Sequence, residues 1–161
     1  GKVVLTGVGK NALIAEMVYE FMLPFNIDCA VLDPHRAAHG NLGLLKNGDT
    51  LIMSSKSGNT DELLWLMNMI LRKGISKLNI YLITSNSEGL LTKYKEITCL
   101  TVPELQEHSR FLHSPQNTVL SYLLILMTLV SRLAKGLKMT EKDYLLNHQS
   151  GEIGKSLEKV S

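Results

Sequence analysis

The chain has 161 residues, 45% apolar and 20% charged, which suits one soluble domain with a real core. Its net charge of +2, with no stripe of Lys and Arg, leaves no footprint for nucleic acid. No signal peptide is visible, and the most apolar stretch, residues 119–130, is too short to span a bilayer, so neither membrane nor secretion is expected. That stretch reads as a helix buried in a core or a subunit interface. Cys29 and Cys99 sit in separate apolar runs and read as buried thiols of a reducing, cytoplasmic compartment, without a disulfide.

In chain order, residues 2–6 form a β-branched strand ended by Gly7-Val8-Gly9. Residues 11–23 show helical spacing through Leu13, Ile14, Met17, Val18, Phe21 and Met22, and Pro24 stops that helix. A second strand covers 29–33. Residues 34–47 read as a loop with at most one helical turn, punctuated by Gly40 and Gly43. A third strand, 50–54, leads to an amphipathic helix at 60–73. Residues 77–84 are a fourth strand, followed by Ser85-Asn86-Ser87 and a helix at 87–94. A fifth strand covers 97–102. The polar segment 103–115 leads to a long apolar helix at 116–134, and residues 140–146 form a short capped helix. Strands alternating with helices predict a doubly wound, largely parallel five-stranded sheet, an α/β fold in a single domain. Gly1 falling directly on a strand points to a domain cut from a longer chain.

In such sheets ligands sit beyond the strand carboxyl ends, where strand order reverses. The Gly7, Ser55 and Thr84-Ser85-Asn86 turns all lie at such ends. The Ser54-Ser55-Lys56-Ser57-Gly58-Asn59-Thr60 turn runs from a buried strand into a helix. Hydroxyls at Ser55, Ser57 and Thr60, with the amides of a helix start, suit a phosphate. Gly58 permits positive φ or close approach to the ligand, and Asn59 or Thr60 caps the helix. Gly7-Val-Gly9-Lys10-Asn11-Ala12 fits a dinucleotide-binding pattern, with Asp33 where a ribose-binding acid would stand. Lys10 within that turn suggests instead a cation placed at a phosphate or carbonyl oxygen. No Walker motif is present.

His35 and His39 have the spacing of helical metal ligands, but Pro34 and Gly40 argue against a helix there and no Cys or carboxylate cluster accompanies them. No metal is expected; His39 reads as a ligand contact. Glu104 and Glu107 follow the last strand, where a carboxylate suits a general base. His148 has the natural pKa for proton shuttling. Arg110, His113 and Gln116 are further polar contacts of that segment.

Together, GVGK, PHRAAHGNLG, SKSGNTDE, ITSNSE, the Glu107–Pro115 segment and NHQSGEIGKSL resemble, in order, a SIS (sugar isomerase) domain, most closely its arabinose-5-phosphate isomerase branch. The resemblance spans essentially the whole chain. It implies a five-stranded parallel sheet in a three-layer sandwich, usually tetrameric, and an aldose–ketose isomerase acting on ribulose and arabinose 5-phosphates. It places sugar-phosphate binding on Gly9, Ser55, Ser57, Gly58, Asn59, Thr60, Ser85 and Gln116. Lys10, His39, Glu107 and His148 become the catalytic set, with His148 able to reach a neighbouring subunit. No cofactor is implied. The family's GxGKSG turn reads GVGKNA here, and its Pro-Thr-Ser-Ser-Thr run reads Pro115-Gln116-Asn117-Thr118. A glutamate often found just after the family's SxSG core is Asn59 here; Asn59 and the altered Pro115–Thr118 run favour a second class, a domain that binds or senses a sugar phosphate or nucleotide sugar without turnover. A nucleotide-dependent oxidoreductase, resting on GxGxxA and Asp33, is the third. The apolar stripe at 119–130 predicts a homo-oligomer.

Overall fold

The computed structural model describes residues 1–107 and 114–156. Five strands, β1 (Val3–Gly7), β2 (Cys29–Val31), β3 (Thr50–Ser54), β4 (Asn79–Thr84) and β5 (Ile97–Thr101), make one sheet in the order β2-β1-β3-β4-β5. Every pairing is parallel, with Leu5 opposite Ile52 and Leu51 opposite Ile80. The strand order reverses between β1 and β3.

Both faces carry a core because the strands are apolar on both sides. On one face, Leu5, Ile52 and Ile83 pack with α1 (Lys10–Met22) and α4 (Gln116–Gly136). On the other, Val4, Leu51, Met53, Ile80 and Leu82 pack with α2 (Pro34–Ala38) and α3 (Asp61–Lys73). In α3 the buried residues Leu63, Leu66, Met67 and Ile70 recur at helical spacing. Gly74, at φ 70°, ends it by donating its N–H to the Ile70 and Leu71 carbonyls. Two short helices close the described chain, α5 (Glu141–Asn147) and α6 (Gly151–Lys155). Thr140 and Asp143 form a reciprocal capping box at the start of α5.

Four expectations need correction. Pro34 opens α2 instead of preventing a helix: proline at the first turn lacks only a hydrogen bond that would be missing anyway. Asp33 accepts from the His35 and Arg36 amides at 2.8 and 3.4 Å. Residues 87–94 yield only a 3-10 turn, Leu90–Lys93. Asn86 Oδ1 accepts the Glu88 amide there, a local turn that competes with helix. Cys99 is exposed and Cys29 half-buried, because each lies on an edge strand with incomplete cover.

The apolar stretch at 119–130 is part of a longer helix. α4 has 21 residues, enough by length and composition to cross a membrane, yet Tyr122, Leu126, Val130 and Ala134 are buried in the core. Leu120 and Leu124 are 64% and 69% exposed. On another side of α4, an apolar groove lies where Tyr81 and Leu100 of the sheet meet Leu129 and Leu133.

At the amino edge of the sheet, the buried Asp49 carboxylate latches β1 to β3. It accepts from the Lys2 amide (3.0 Å), the Lys2 ammonium (2.6 Å) and the Lys46 amide (3.0 Å). Burial raises its pKa, but the hydrogen bonds from Lys2 and Lys46 and the Lys2 charge outweigh that and leave it lowered. A depressed folded pKa contributes stability above the unfolded value near 3.8 and loses it as pH falls through the folded value. Asp49→Asn is expected to lower Tm at pH 7, with the gap closing below about pH 3.8. Thermal unfolding monitored by circular dichroism from about pH 2.5 to 7 checks this.

Candidate functional site

The carboxyl ends of β1, β3, β4 and β5 bring one residue set together. Asn11 from the start of α1, Lys56, Ser57 and Thr60 from the β3–α3 turn, Ser85 and Asn86 after β4, and Glu104 after β5 line a polar cleft of about 440 Å³. It lies at the β1/β3 reversal, where open parallel sheets bind ligands.

The turn after β3 is shaped by its own hydroxyls. The buried Ser55 hydroxyl accepts the Gly58 amide at 3.1 Å and shares a 2.7 Å hydrogen bond with Thr60 Oγ1. Ser57 Oγ accepts the Asn59 amide at 3.1 Å. Thr60 occupies the N-cap position of α3, but its side chain makes no capping bond. Its hydroxyl turns back toward Ser55 and the cleft.

The loop after β4 fastens this turn largely through main-chain atoms. The Ser85 amide donates to the Lys56 carbonyl at 3.1 Å, and the Leu91 amide to the Gly58 carbonyl at 2.9 Å. Asn86 Nδ2 donates to the Ser57 carbonyl at 2.9 Å, and the Leu90 amide to Asn59 Oδ1 at 2.7 Å. Where the loops cross, two glycines touch. Gly58 is held at φ 65°, and a Cβ on Gly89 would come within 2.7 Å of Gly58 Cα and the Ser57 carbonyl oxygen. The close approach that Gly58 permits is therefore to Gly89.

Glu107 is the most constrained ionisable group of the site. Its side chain is 4% exposed. One carboxylate oxygen accepts the Asn117 amide at 2.6 Å; the other accepts the Thr118 hydroxyl at 2.7 Å and the Thr118 amide at 3.3 Å. Glu107 thus satisfies the first turn of α4, whose N-cap residue, Pro115, has no side-chain donor or acceptor to offer. Lys56 Nζ stands 3.5 Å from Glu107 Oε1 and 3.2 Å from Glu104 Oε1. Burial raises the Glu107 pKa, but the Thr118 hydroxyl, the Asn117 and Thr118 amides and the Lys56 charge hold it below the usual carboxylate range. It is ionised at neutral pH.

The sequence-predicted residues divide into three groups. Ser57, Thr60 and Ser85 line the cleft, with Ser85 Oγ 3.1 Å from the buried Tyr122 hydroxyl. Ser55, Gly58 and Asn59 build the turn behind them. Gly9 caps α1 at φ 60°, ψ −124°, a conformation reserved for glycine. The exposed Lys10 follows it, one residue before Asn11. Gln116 opens α4, beside the amides that hold Glu107. His39 lies past the end of α2, exposed and outside the cleft lining, and His35 Nε2 is 3.7 Å from Glu62. Arg110 and His113 lie outside the described residues. Asp33, the candidate ribose acid, is spent on capping α2.

His148 is not at this cleft within one chain. Its ring stacks on Tyr144, with centroids 5.8 Å apart, and Tyr144 in turn packs on Phe25 at 5.0 Å. Asn147 Nδ2 donates to the Pro24 carbonyl and to Asn26 Oδ1. These anchors sit at the far end of α1, about 20 Å from its cleft end at 1.5 Å per residue.

The sequence reading passed over Lys56 and Asn86. Lysine between two serines of a phosphate-type turn was the available signal for the first. For Asn86 the signal was its place in the turn after the fourth strand; its bond to the Ser57 carbonyl, 29 positions away, had none.

A parallel sheet with a cleft of hydroxyls, lysine and carboxylates at its switch point defines an α/β domain suited to a small polar ligand. The chain belongs to the SIS domain family, whose model matches residues 1–132. It is 30% identical over 160 residues, 99% of its length, to an uncharacterised Rickettsia prowazekii protein, RP505, and covers 49% of that relative. It is 28% identical to the arabinose 5-phosphate isomerase KdsD of Francisella tularensis, over 97% of this chain and 46% of that one. The chain thus spans about half the length of these relatives. Among solved structures, a candidate phosphosugar isomerase from Bacteroides fragilis, described as involved in capsule formation, superposes with a TM-score of 0.84. It shares 28% identity, with 92% of this chain and 76% of that one covered.

The glycine contact makes a direct prediction. Gly89→Ala should destabilise the protein by about 1–3 kcal/mol through overpacking against backbone, read as a lower urea midpoint at unchanged m-value.

Proposed function

We propose that residues 1–161 form a single SIS domain that interconverts an aldose and a ketose phosphate, D-ribulose 5-phosphate and D-arabinose 5-phosphate being the first pair to test. The observation that carries this reading is a cleft at the switch point lined by the Ser57, Thr60 and Ser85 hydroxyls and by Lys56, whose ammonium reaches 3.5 Å from the buried Glu107 carboxylate.

The Ser57 and Thr60 hydroxyls and the first amides of α3 hold the phosphate, on a turn braced by Ser55, Gly58 and Asn59. Its binding energy positions the reacting carbons. Glu107 removes the proton from the carbon beside the carbonyl, giving a cis-enediol, and returns it to the neighbouring carbon. Lys10, presented by Gly9, stabilises charge on the enediolate oxygen. Ser85 and Gln116 contact the sugar hydroxyls, and His39 is a further ligand contact. His148 opens the sugar ring or shuttles hydroxyl protons, at the site of a neighbouring copy, a reading supported by its distance from its own cleft. The apolar groove lined by Tyr81, Leu100, Leu129 and Leu133 is the surface offered for that homo-oligomer. No metal or redox cofactor takes part in these steps.

Glu107→Gln should lower kcat/KM for pentose-phosphate interconversion by roughly 10²-fold or more, with circular dichroism confirming the fold. A variant as active as the parent removes Glu107 from the base role.

A second reading has its own support, because the several donors on Glu107 weaken it as a base. On that reading the domain binds a sugar phosphate without turnover. A thermal shift with arabinose 5-phosphate, unaccompanied by isomerisation in NMR spectra, selects it.

A further inference from the structure

Lys56 has no role in the chemistry above, yet it stands between the phosphate cradle and the catalytic carboxylate. It follows the buried Ser55 and precedes the cleft-lining Ser57, its carbonyl held by the Ser85 amide and its side chain 32% exposed to the cleft. Its ammonium is shared between a carboxylate facing water, Glu104 at 68% side-chain exposure, and a buried one, Glu107. Exposed ion pairs contribute little, so the Glu104 contact is easily exchanged. A phosphate held by Ser57 and Thr60 would bring a second, doubly charged acceptor to the same cleft wall.

We propose that Lys56 is a transferable cation, drawn from Glu104 and Glu107 to the phosphate of the incoming sugar, so that the substrate itself releases the base. The idea rests on the sugar-phosphate reading. Its consequence for Glu107 follows from geometry. With Lys56 gone, Glu107 keeps the Asn117 and Thr118 donors that hold it in place. It loses its only described cationic neighbour, while the Glu104 carboxylate that shared that cation remains nearby. Among the described residues, the rest of the cleft lining around Lys56 is neutral, the hydroxyls and amides of Ser57, Thr60, Ser85, Asn86 and Asn11, and the Tyr122 phenol lies behind Ser85. A carboxylate losing a nearby cation binds its proton more tightly. The base is therefore guarded while the cleft is empty and strengthened only when substrate is seated.

Two measurements test this, one independent of turnover. In the first, Glu107 is titrated by carbon-13 NMR of labelled glutamate carboxyls, assigned with Glu107→Gln, with and without saturating inorganic phosphate. The parent midpoint should rise by about one unit on phosphate binding. Lys56→Met and Lys56→Gln should show a raised midpoint already without phosphate, no further change on adding it, and phosphate binding weakened on the order of tenfold. In the second, the acidic limb of kcat in pentose-phosphate interconversion should lie above that of kcat/KM in the parent, the two coinciding in both variants. Phosphate that binds the parent without moving the Glu107 midpoint overturns the transfer and leaves the anion site standing. Phosphate that fails to bind overturns both. A protein that shows the midpoint shift but no isomerisation retains the transfer and loses the enzyme reading.

Discussion

The site depends on a contact between two backbones. The turn after β3 and the loop after β4 cross so closely that Gly58 and Gly89 must both lack side chains. The Ser85 and Leu91 amides and Asn86 Nδ2 then reach carbonyls of the β3 turn. A parallel sheet sets two strand ends side by side, about 4.8 Å apart. The glycine contact turns that proximity into a rigid cleft wall. Ser57 and Thr60 are presented because the turn behind them cannot relax.

The second constraint is electrostatic and comes from α4. Its first turn opens at Pro115 without a side-chain cap, and Glu107 supplies the missing acceptor from ten residues upstream. One buried carboxylate thus completes a helix and pairs with a lysine of the cleft wall. The same hydrogen bonds that fix its position oppose its protonation. Lys56, partly exposed and reaching in from the β3 turn, adds to that opposition.

Much of the fold could be read from the sequence because periodicity is local. Leu63, Leu66, Met67 and Ile70 announce α3, and the β-branched and aliphatic runs announce all five strands. What escaped reading was decided by partners far along the chain. Residues 87–94 carry helix formers, but Asn86 and the Gly58 contact shape them otherwise. Ser55, Ser57 and Thr60 look alike as hydroxyls, and nothing local tells a cleft-lining hydroxyl from a bracing one. The location of His148 depends on Phe25 and Tyr144, more than a hundred positions apart, so no spacing rule could foresee it. Lys56 was visible in the motif, but a lone lysine ordinarily signals solvent.

The loops around the cleft are joined mainly through peptide groups, which every residue type except proline supplies in full. The side chains at positions 56 and 57 can therefore drift while most of the frame beneath them endures. Such a scaffold lends itself to retooling: one inherited architecture can be refitted to new ligands by exchanging a few protruding groups, with little need to reinvent the framework that carries them.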